Sequence, residues 1–228
     1  NTVIGAEAGD AFTDADYNTA VGFRALTTDT LGNRSTALGY RALNTQNFTS
    51  ATDAHNTAIG FQSGYSVTTA TSNTLIGSLA GDALTTGAAN VALGTDALGA
   101  DTLGQHNVAI GYQALDAQNF TTSTNAYNVA VGSGAGGAVT TGIRNIVVGG
   151  LACDALIDAD YNTAVGHGSL SADTYGSKST ALGYQTLLAQ NFTTATDSYN
   201  TAVGFYAGTN VTTGIQNTLI GALAGDAL

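Results

Sequence analysis

Three histidines, His55, His106 and His167, are the side chains of this sequence most suited to acid–base chemistry. A histidine acts as a catalytic base only beside a nucleophile and an orienting group. We place the three at different positions of the repeat described below, so that stacking of the repeat does not bring them together. With no Ser/His/Asp or paired-carboxylate arrangement in view, the sequence predicts no catalytic residue, no cofactor and no enzyme activity.

Acidic residues cluster in an equivalent loop near the start of two parts of the chain: Asp10, Asp14 and Asp16, and again Asp154, Asp158 and Asp160. Oxygen-rich loops can hold Ca²⁺. The middle copy keeps Asp82 but continues with Thr86 and Ala88, whereas a structural ion site should be present in every copy. We therefore predict solvated acidic loops and no metal site.

A polar segment containing Asn-Phe-Thr occurs three times, beginning at Asn47, Asn119 and Asn191. Asn-X-Thr is a glycosylation sequence, which matters only for a protein made in a eukaryotic secretory pathway. We expect the phenylalanine of each segment to pack against the coil and anchor a long loop, because an aromatic residue that recurs at the same coil position is usually packed. The alternative is a stripe that contacts a receptor or a neighbouring molecule, with these residues: Asn47, Phe48, Asn119, Phe120, Tyr127, Asn191, Phe192 and Tyr199.

Two further features point to no specific chemistry. Threonine pairs recur in loops of differing length, which would break the regular lattice that ice binding needs, so we assign their hydroxyls to capping of loop backbone groups. Cys153 stands where sister segments have Gly9, Gly81 and Gly225. We predict that it is a buried substitution and not a reactive thiol.

The charge balance excludes two classes of partner. The formal net charge is −11, with 5 Lys and Arg against 16 Asp and Glu. Nucleic acids and anionic membranes both require clustered cations. No apolar run approaches the roughly 20 residues of a membrane span, so we predict no nucleic acid partner and no membrane insertion by this segment.

The organisation of the chain is a repeat within a repeat. A five-residue signature recurs along the chain. It consists of Asn or Ser, then Thr, Val or Ile, then a mostly small residue, then a large aliphatic residue, and finally Gly. It begins at thirteen positions: Asn1, Asn18, Ser35, Asn56, Asn73, Asn90, Asn107, Asn128, Asn145, Asn162, Ser179, Asn200 and Asn217. Two 17-residue coils, one 21-residue coil and a further 17-residue coil follow one another in that order, three times over, and each such set builds a 72-residue block. The blocks are 1–72, 73–144, 145–216 and a partial 217–228, which we treat as one repeat domain within a longer chain.

Each signature position suggests a role in a strand. We expect the fourth residue to be buried, with the second on the same face, and the invariant fifth Gly to make a sharp turn or a close backbone approach. A second short strand should follow, as in Phe23-Arg24-Ala25-Leu26. Glycine in every signature excludes a helix, so the sequence predicts an all-β fold: a parallel β-solenoid of stacked coils.

A single coil offers a poor core, and we expect other copies of the chain to cover it. One large aliphatic side chain with Ala and Thr hardly offsets the ordering entropy of about 1 to 2 kcal/mol per residue. We predict a homo-oligomer whose closest contacts are alanines of the third or the eighth coil position. The third-position candidates are Ala20, Ala37, Ala58, Ala92, Ala109, Ala130, Ala164, Ala181 and Ala202.

The segments "NTAVGFRAL", "NTAIGFQSG" and "NVAIGYQAL" resemble the head repeats of trimeric autotransporter adhesins of the Yersinia adhesin type. They are still more similar to "NTAIGYxAL" arrays of phage tail fibres and bacterial surface proteins. The resemblance covers all thirteen coils. It implies a left-handed β-roll, a homotrimer, and an extracellular position on a cell surface or virion.

The sequence thus predicts an extracellular structural or adhesive fibre segment whose partner is itself. A host-surface receptor or a glycan is a further partner that such a segment could contact. One alternative is a subunit of a self-assembling filament that grows through its open strand edges. Another is a solenoid that binds ice, Ca²⁺ or a glycan.

Overall fold

The computed structural model describes residues 1–227, which contain strands, turns and bends and no helix. Each of the thirteen signatures contains one three-residue strand, and six two-residue strands lie between signatures. In chain order the strands are β1 (Thr2–Ile4), β2 (Thr19–Val21), β3 (Gly32–Asn33), β4 (Thr36–Leu38), β5 (Thr52–Asp53), β6 (Thr57–Ile59), β7 (Thr74–Ile76), β8 (Val91–Leu93), β9 (Gly104–Gln105), β10 (Val108–Ile110), β11 (Thr124–Asn125), β12 (Val129–Val131), β13 (Ile146–Val148), β14 (Thr163–Val165), β15 (Gly176–Ser177), β16 (Thr180–Leu182), β17 (Thr196–Asp197), β18 (Thr201–Val203) and β19 (Thr218–Ile220). The fold is a parallel β-solenoid of about 13 turns, which confirms the predicted class.

The chain forms two compact units. Unit 1 comprises Asn1–Ala109 and Asn119–Asn125, and unit 2 comprises Ile110–Gln118 and the residues from Ala126 onward. In unit 1, strands β1, β2, β4, β6, β7 and β8 pair in that order. In unit 2, strands β12, β13, β14, β16, β18 and β19 do the same. All these pairs are parallel, and each signature residue lies opposite its equivalent in the next coil.

The two-residue strands belong to the enlarged coils. In unit 1, β3 pairs with β5 and β9 with β11, and in unit 2, β15 pairs with β17. In each pair the second strand comes from the enlarged coil and the first from the coil before it. The insertion in the enlarged coil therefore forms a bulge that is held by a small sheet of its own.

The asparagine that opens most of the signatures links one coil to the next from inside. Asn73 donates from Nδ2 to the carbonyl of Gly87, 2.9 Å away, and its Oδ1 accepts from the backbone N–H of Asn90 at 2.9 Å. Asn162 repeats this arrangement in unit 2 with Gly176 and Ser179. Because its amide satisfies buried backbone groups, the side chain must face inward.

This inward position fixes the direction of every side chain in the strand, and it corrects the sequence-based assignment of faces. Successive side chains of a strand point to opposite faces, so the third residue faces inward with the asparagine, and the second and fourth face outward. The nine third-position alanines are fully buried within the chain. The fourth-position residues, which we expected to be buried, are partly or largely exposed, as Leu38 is at 44%.

The predicted oligomer contacts are therefore wrong. A residue that is fully buried within its own chain cannot touch a second copy. The alanines fill the interior of the coil, and this correction covers all nine: Ala20, Ala37, Ala58, Ala92, Ala109, Ala130, Ala164, Ala181 and Ala202.

The fifth-position glycine combines both properties predicted for it. Gly60 has φ +141°, and a Cβ placed there would meet the carbonyl group of Gly77 in the next coil. The predicted second strand, by contrast, is wrong. Residues 23–26 form a turn in which Arg24 and Leu26 have φ of 59° and 50°, so each short coil contributes one strand to the main sheet.

Where the third signature residue is large, small residues in the same and the neighbouring coil leave space for its side chain. Leu75 replaces the usual alanine and is fully buried. A Cβ at Gly64 or at Gly81 would lie 2.8 Å from the Leu75 side chain, so these glycines leave the space that the leucine fills. Interiors tolerate little unfilled or overfilled volume, which explains why the ninth coil position is Gly beside Leu75 and Leu in other coils, such as Leu26 and Leu43.

A buried carboxyl group holds each enlarged coil. In unit 1, Asp29 Oδ2 accepts from Nε2 of Gln46 at 2.5 Å, and Oδ1 accepts from the backbone N–H of Gly32 at 2.9 Å. Gln46 Oε1 in turn accepts from Asn56 Nδ2 at 2.9 Å. Asp29, Gln46 and Asn56 are fully buried, so one glutamine joins three successive coils.

Candidate interaction surfaces

The outward face of the main strands consists of two columns of uncharged residues. We call the second-position residues the outer threonine column, because nine of its thirteen members are Thr and the others are Val or Ile. The fourth-position residues form the outer aliphatic column: Ile4, Val21, Leu38, Ile59, Ile76 and Leu93 in unit 1, and Ile110, Val131, Val148, Val165, Leu182, Val203 and Ile220 in unit 2. Neither column contains a charged residue in either unit.

None of the outer aliphatic residues is buried by its own chain. Leu93 is 41% exposed, and its equivalents range from half-buried to exposed. Parallel sheets are almost always covered on both faces. Contiguous apolar surfaces of this kind are uncommon on proteins that act as monomers.

Aromatic rings border the outer aliphatic column at the sixth coil position. In unit 1, Phe23, Tyr40 and Phe61 stack with centroid distances of 5.6 and 5.3 Å. In unit 2, the stack formed by His167, Tyr184 and Phe205 has distances of 5.7 and 5.5 Å. Within these two three-ring stacks the aromatic residues extend the apolar surface beyond the strands.

Burial distinguishes the two roles predicted for the Asn-Phe-Thr segments, which are anchoring of a loop and contact with another molecule. Phe48, Phe120 and Phe192 are 4%, 5% and 6% exposed, which confirms that they anchor the bulge and removes them from the contact stripe. The residues beside them are exposed: Asn47, Asn119, Tyr127, Asn191 and Tyr199. Each of the three asparagines accepts a hydrogen bond from a threonine hydroxyl of the preceding coil: Thr30, Thr102 and Thr174.

The residue just before each signature forms a further exposed column, which we call the coil-end column: Tyr17, Arg34, His55, Ser72, Ala89, His106, Tyr127, Arg144, Tyr161, Lys178, Tyr199 and Gln216. Each has φ between 51° and 62°. Lys178 Nζ lies 2.5 Å from Asp197 Oδ2, and this hydrogen bond lowers the pKa of Asp197 and raises that of Lys178. Both side chains are exposed, so the pair is screened by solvent.

The histidine assignment needs one correction. His55 and His106 both belong to the coil-end column, three coils apart, because each directly precedes a signature asparagine, and only His167 lies elsewhere, at the sixth position. Among residues 1–227, no group of three His, Cys, Asp or Glu side chains has the arrangement of a metal site. The acidic residues Asp10, Asp14, Asp16 and Asp158 are exposed.

Cys153 is fully buried, as predicted. Burial, reinforced by Asp173 and Asp154, raises the pKa of its thiol far above the ordinary value. Since the thiolate is the reactive form, this thiol is inert in the folded chain.

Neither a pocket nor a membrane-spanning helix occurs in the part of the chain that the structure describes. Comparison with protein-family models, with curated proteins and with solved structures gave no match.

Sequence reasoning missed the buried Asp–Gln connection, although its signal was present. Asp29, Asp101 and Asp173 recur once in every complete block, and a glutamine follows each of them at the equivalent place of the next coil: Gln46, Gln118 and Gln190. Their constancy would have indicated a fixed structural role. Their polar, threonine-rich surroundings suggested a solvated loop.

Proposed function

We propose that this chain is a non-enzymatic structural segment of an extracellular fibre, and that copies of it associate through the outer threonine and aliphatic columns. The observation that carries the proposal is the exposed outer aliphatic column. Every rung presents Ile, Val or Leu to solvent in a single chain. Covering these side chains recovers about 25 cal/mol per Å² of apolar surface.

The charge pattern of the chain supports association with itself. The chain carries Lys, Arg, Asp and Glu elsewhere, yet none lies in either outer column. Depletion of charge at the centre of a surface, with aromatic residues and arginine around it, is the composition of protein interfaces. The stacked rings of Phe23, Tyr40 and Phe61 supply such a border in unit 1, together with Arg24 and Arg41.

The resemblance of the coils to adhesin and tail-fibre repeats supports a homotrimer exposed on a cell surface or virion. A fibre segment needs regular length and stiffness and requires neither a catalytic centre nor a cofactor. The alternative is a self-assembling filament, in which unpaired strand edges of one copy pair with those of the next.

Solution mass tests the proposal and separates the two assemblies. We expect light scattering with sedimentation to give a mass near three times the 22.7 kDa of one chain. Replacing Leu38→Lys together with Leu93→Lys places cations in the outer aliphatic column and should return the particle to one chain. Ile215→Lys, an exposed aliphatic residue outside both columns, is the matched control and should leave the mass unchanged.

A stable wild-type particle of 22.7 kDa would overturn the proposal. Species of very large and variable mass would show that the chain forms a filament and not a trimer. A double variant that keeps the wild-type mass would place the association elsewhere on the chain.

A further inference from the structure

The coil-end column carries larger side chains than its backbone requires. Its twelve residues all lie in the left-handed region, which Gly and Asn occupy at least cost, yet neither residue occurs there. Ser72 and Ala89 adopt the same backbone with small side chains, at φ of 61° and 58°. The coil therefore does not need an aromatic or cationic residue at this position, although nine of the twelve are Tyr, His, Arg or Lys.

In unit 1 these side chains form a cluster of an aromatic ring, a cation, a carboxylate and an imidazole. Arg34 Cζ lies 5.0 Å from the ring centroid of Tyr17, and Arg34 Nε lies 3.0 Å from Asp53 Oδ2. Asp53 belongs to β5, which pairs with β3 just before Arg34. His55 follows two residues later and is exposed, and Tyr17 is 71% exposed.

Unit 2 holds the equivalent cluster. Lys178 Nζ contacts Asp197 Oδ2 at 2.5 Å and lies 5.3 Å from the ring centroid of Tyr199. The Tyr199 hydroxyl donates to Asp197 Oδ2 at 3.2 Å. On the other side, Arg144 Nη1 donates to the Tyr161 hydroxyl at 2.7 Å. Both tyrosine rings remain about half exposed.

The two clusters occupy identical places in the first and third blocks, and the second block differs. Tyr17, Arg34, Asp53 and His55 correspond, two blocks later, to Tyr161, Lys178, Asp197 and Tyr199. The second block has Ala89, His106, Asn125 and Tyr127 at these positions, and so lacks the first ring and the carboxylate. Exposed ion pairs contribute little to stability, so stability does not explain why the set recurs.

We propose that each cluster binds a segment of a neutral, extended oligosaccharide. Two rings can pack against the C–H faces of pyranose units, the carboxylate accepts hydrogen bonds from sugar hydroxyls, and the cation donates to them. Rungs of a sheet are about 4.8 Å apart, so residues two rungs apart, as Tyr161 and Tyr199 are, stand about 10 Å apart along the column. That distance is the span of about two linked pyranose rings.

The charges of the clusters select a neutral ligand. Arg34 and Lys178 are each paired with a carboxylate, so the charges within these two pairs cancel. The net charge of −11 repels a polyanion approaching the chain. Because no pocket is present in the described residues, the ligand must lie along the surface.

Calorimetric titration with defined hexasaccharides tests the proposal. The probes are cellohexaose, maltohexaose, xylohexaose and mannohexaose, each added to about 10 mM, and at least one should bind with a dissociation constant of about 1 mM. The variant Tyr17→Ala, His55→Ala, Tyr161→Ala, Tyr199→Ala should weaken that binding more than tenfold. Tyr127→Ala, which removes a tyrosine from the incomplete cluster, is the matched control and should leave binding unchanged.

Three results of the titration would overturn the proposal: no binding of any neutral probe, equal loss in the Tyr127→Ala control, or, with hexagalacturonate added as a charged probe, binding of that probe alone. Light scattering of the fourfold variant distinguishes this site from the association of copies. We expect the wild-type mass and circular dichroism spectrum in that variant. A lower mass would assign the clusters to the contact between copies and not to a saccharide.

Discussion

Gln190 donates a hydrogen bond from Nε2 to the buried Oδ2 of Asp173 in the preceding coil, 2.5 Å away. Its Oε1 accepts from Nδ2 of Asn200 in the following coil at 2.8 Å. The other oxygen of Asp173 accepts from the backbone N–H groups of Gly176 and Phe192 at 3.0 and 3.2 Å. One glutamine therefore connects three coils and fixes the Phe192 anchor of the bulge.

Gln190→Leu should destabilise the chain substantially, because it leaves a buried oxygen of Asp173 and one N–H of the Asn200 amide without a partner, although that amide keeps its bond to the Gly214 carbonyl. Each unsatisfied buried group costs about 1–3 kcal/mol. Urea unfolding followed by circular dichroism measures the change. The control Gln185→Leu alters a partly exposed residue at a position where Leu79 and Leu151 occur naturally, and should change stability by less than about 0.5 kcal/mol. Equal effects of the two variants would show that the connection contributes nothing.

The stability difference between the wild type and Asp173→Asn should depend on pH. Burial raises the pKa of Asp173 above its ordinary value of 3.8. A raised folded pKa adds stability below the unfolded pKa, and this contribution is lost as the pH rises through the folded pKa. Asparagine takes up no proton, so the free energy of unfolding of the wild type, relative to that of the variant, should be larger at about pH 4 than at about pH 7. Urea unfolding of both proteins at the two values measures it, and a constant difference would contradict the raised pKa.

Cys153 should resist thiol reagents in the folded chain and react at once in denaturant. Its side chain is fully buried and its pKa is raised by that burial, so little thiolate is accessible. Labelling with Ellman's reagent at increasing urea concentration should follow the unfolding transition. Rapid labelling without urea would indicate a local opening of the ninth coil, which begins at Asn145.

Gly149→Ala and Gly150→Ala should differ sharply although the residues are adjacent. Gly149 has φ +139°, and its added Cβ would lie 2.6 Å from the carbonyl group of Gly166. At Gly150 the nearest atom is His167 Cδ2 at 3.5 Å, an ordinary contact. Backbone strain and overpacking predict a loss of more than about 3 kcal/mol for Gly149→Ala and little change for Gly150→Ala. Thermal unfolding of the two variants provides the comparison.

The periodicity of the chain predicted the fold, but it could not predict which strand face is internal. The signature alternates between two sets of residues, and both sets contain aliphatic side chains. Leu38 was expected in the core because a large aliphatic residue occurs there in every coil. Such constancy is expected whether the residue is covered by its own chain or by another molecule. The hydrogen bonds of the Asn18 amide decide between the faces, and these become visible only in the structure.

The candidate surfaces were predictable in part. The three Asn-Phe-Thr segments were identified from spacing, and the packing of Phe48 followed from its constant register. The clusters at Arg34 and Lys178 were not predicted from the sequence, because their members come from successive coils and differ between blocks. Only the pairing of β3 with β5, and of β15 with β17, brings these side chains together.

The hydrogen bonds that join consecutive coils determine how such a chain responds to tension. Thr19 donates to the carbonyl of Ser35, and Gly22 to that of Ile4, so the bonds of each coil are made mainly with its two neighbours. A pulling force along the chain therefore separates one coil from its neighbour at a time, because each coil is bonded mainly to the coils beside it. Each detachment releases about 60 Å of chain, and each enlarged coil about 70 Å. A chain built in this way gives length in small steps of two sizes and so absorbs a sudden load without separating completely.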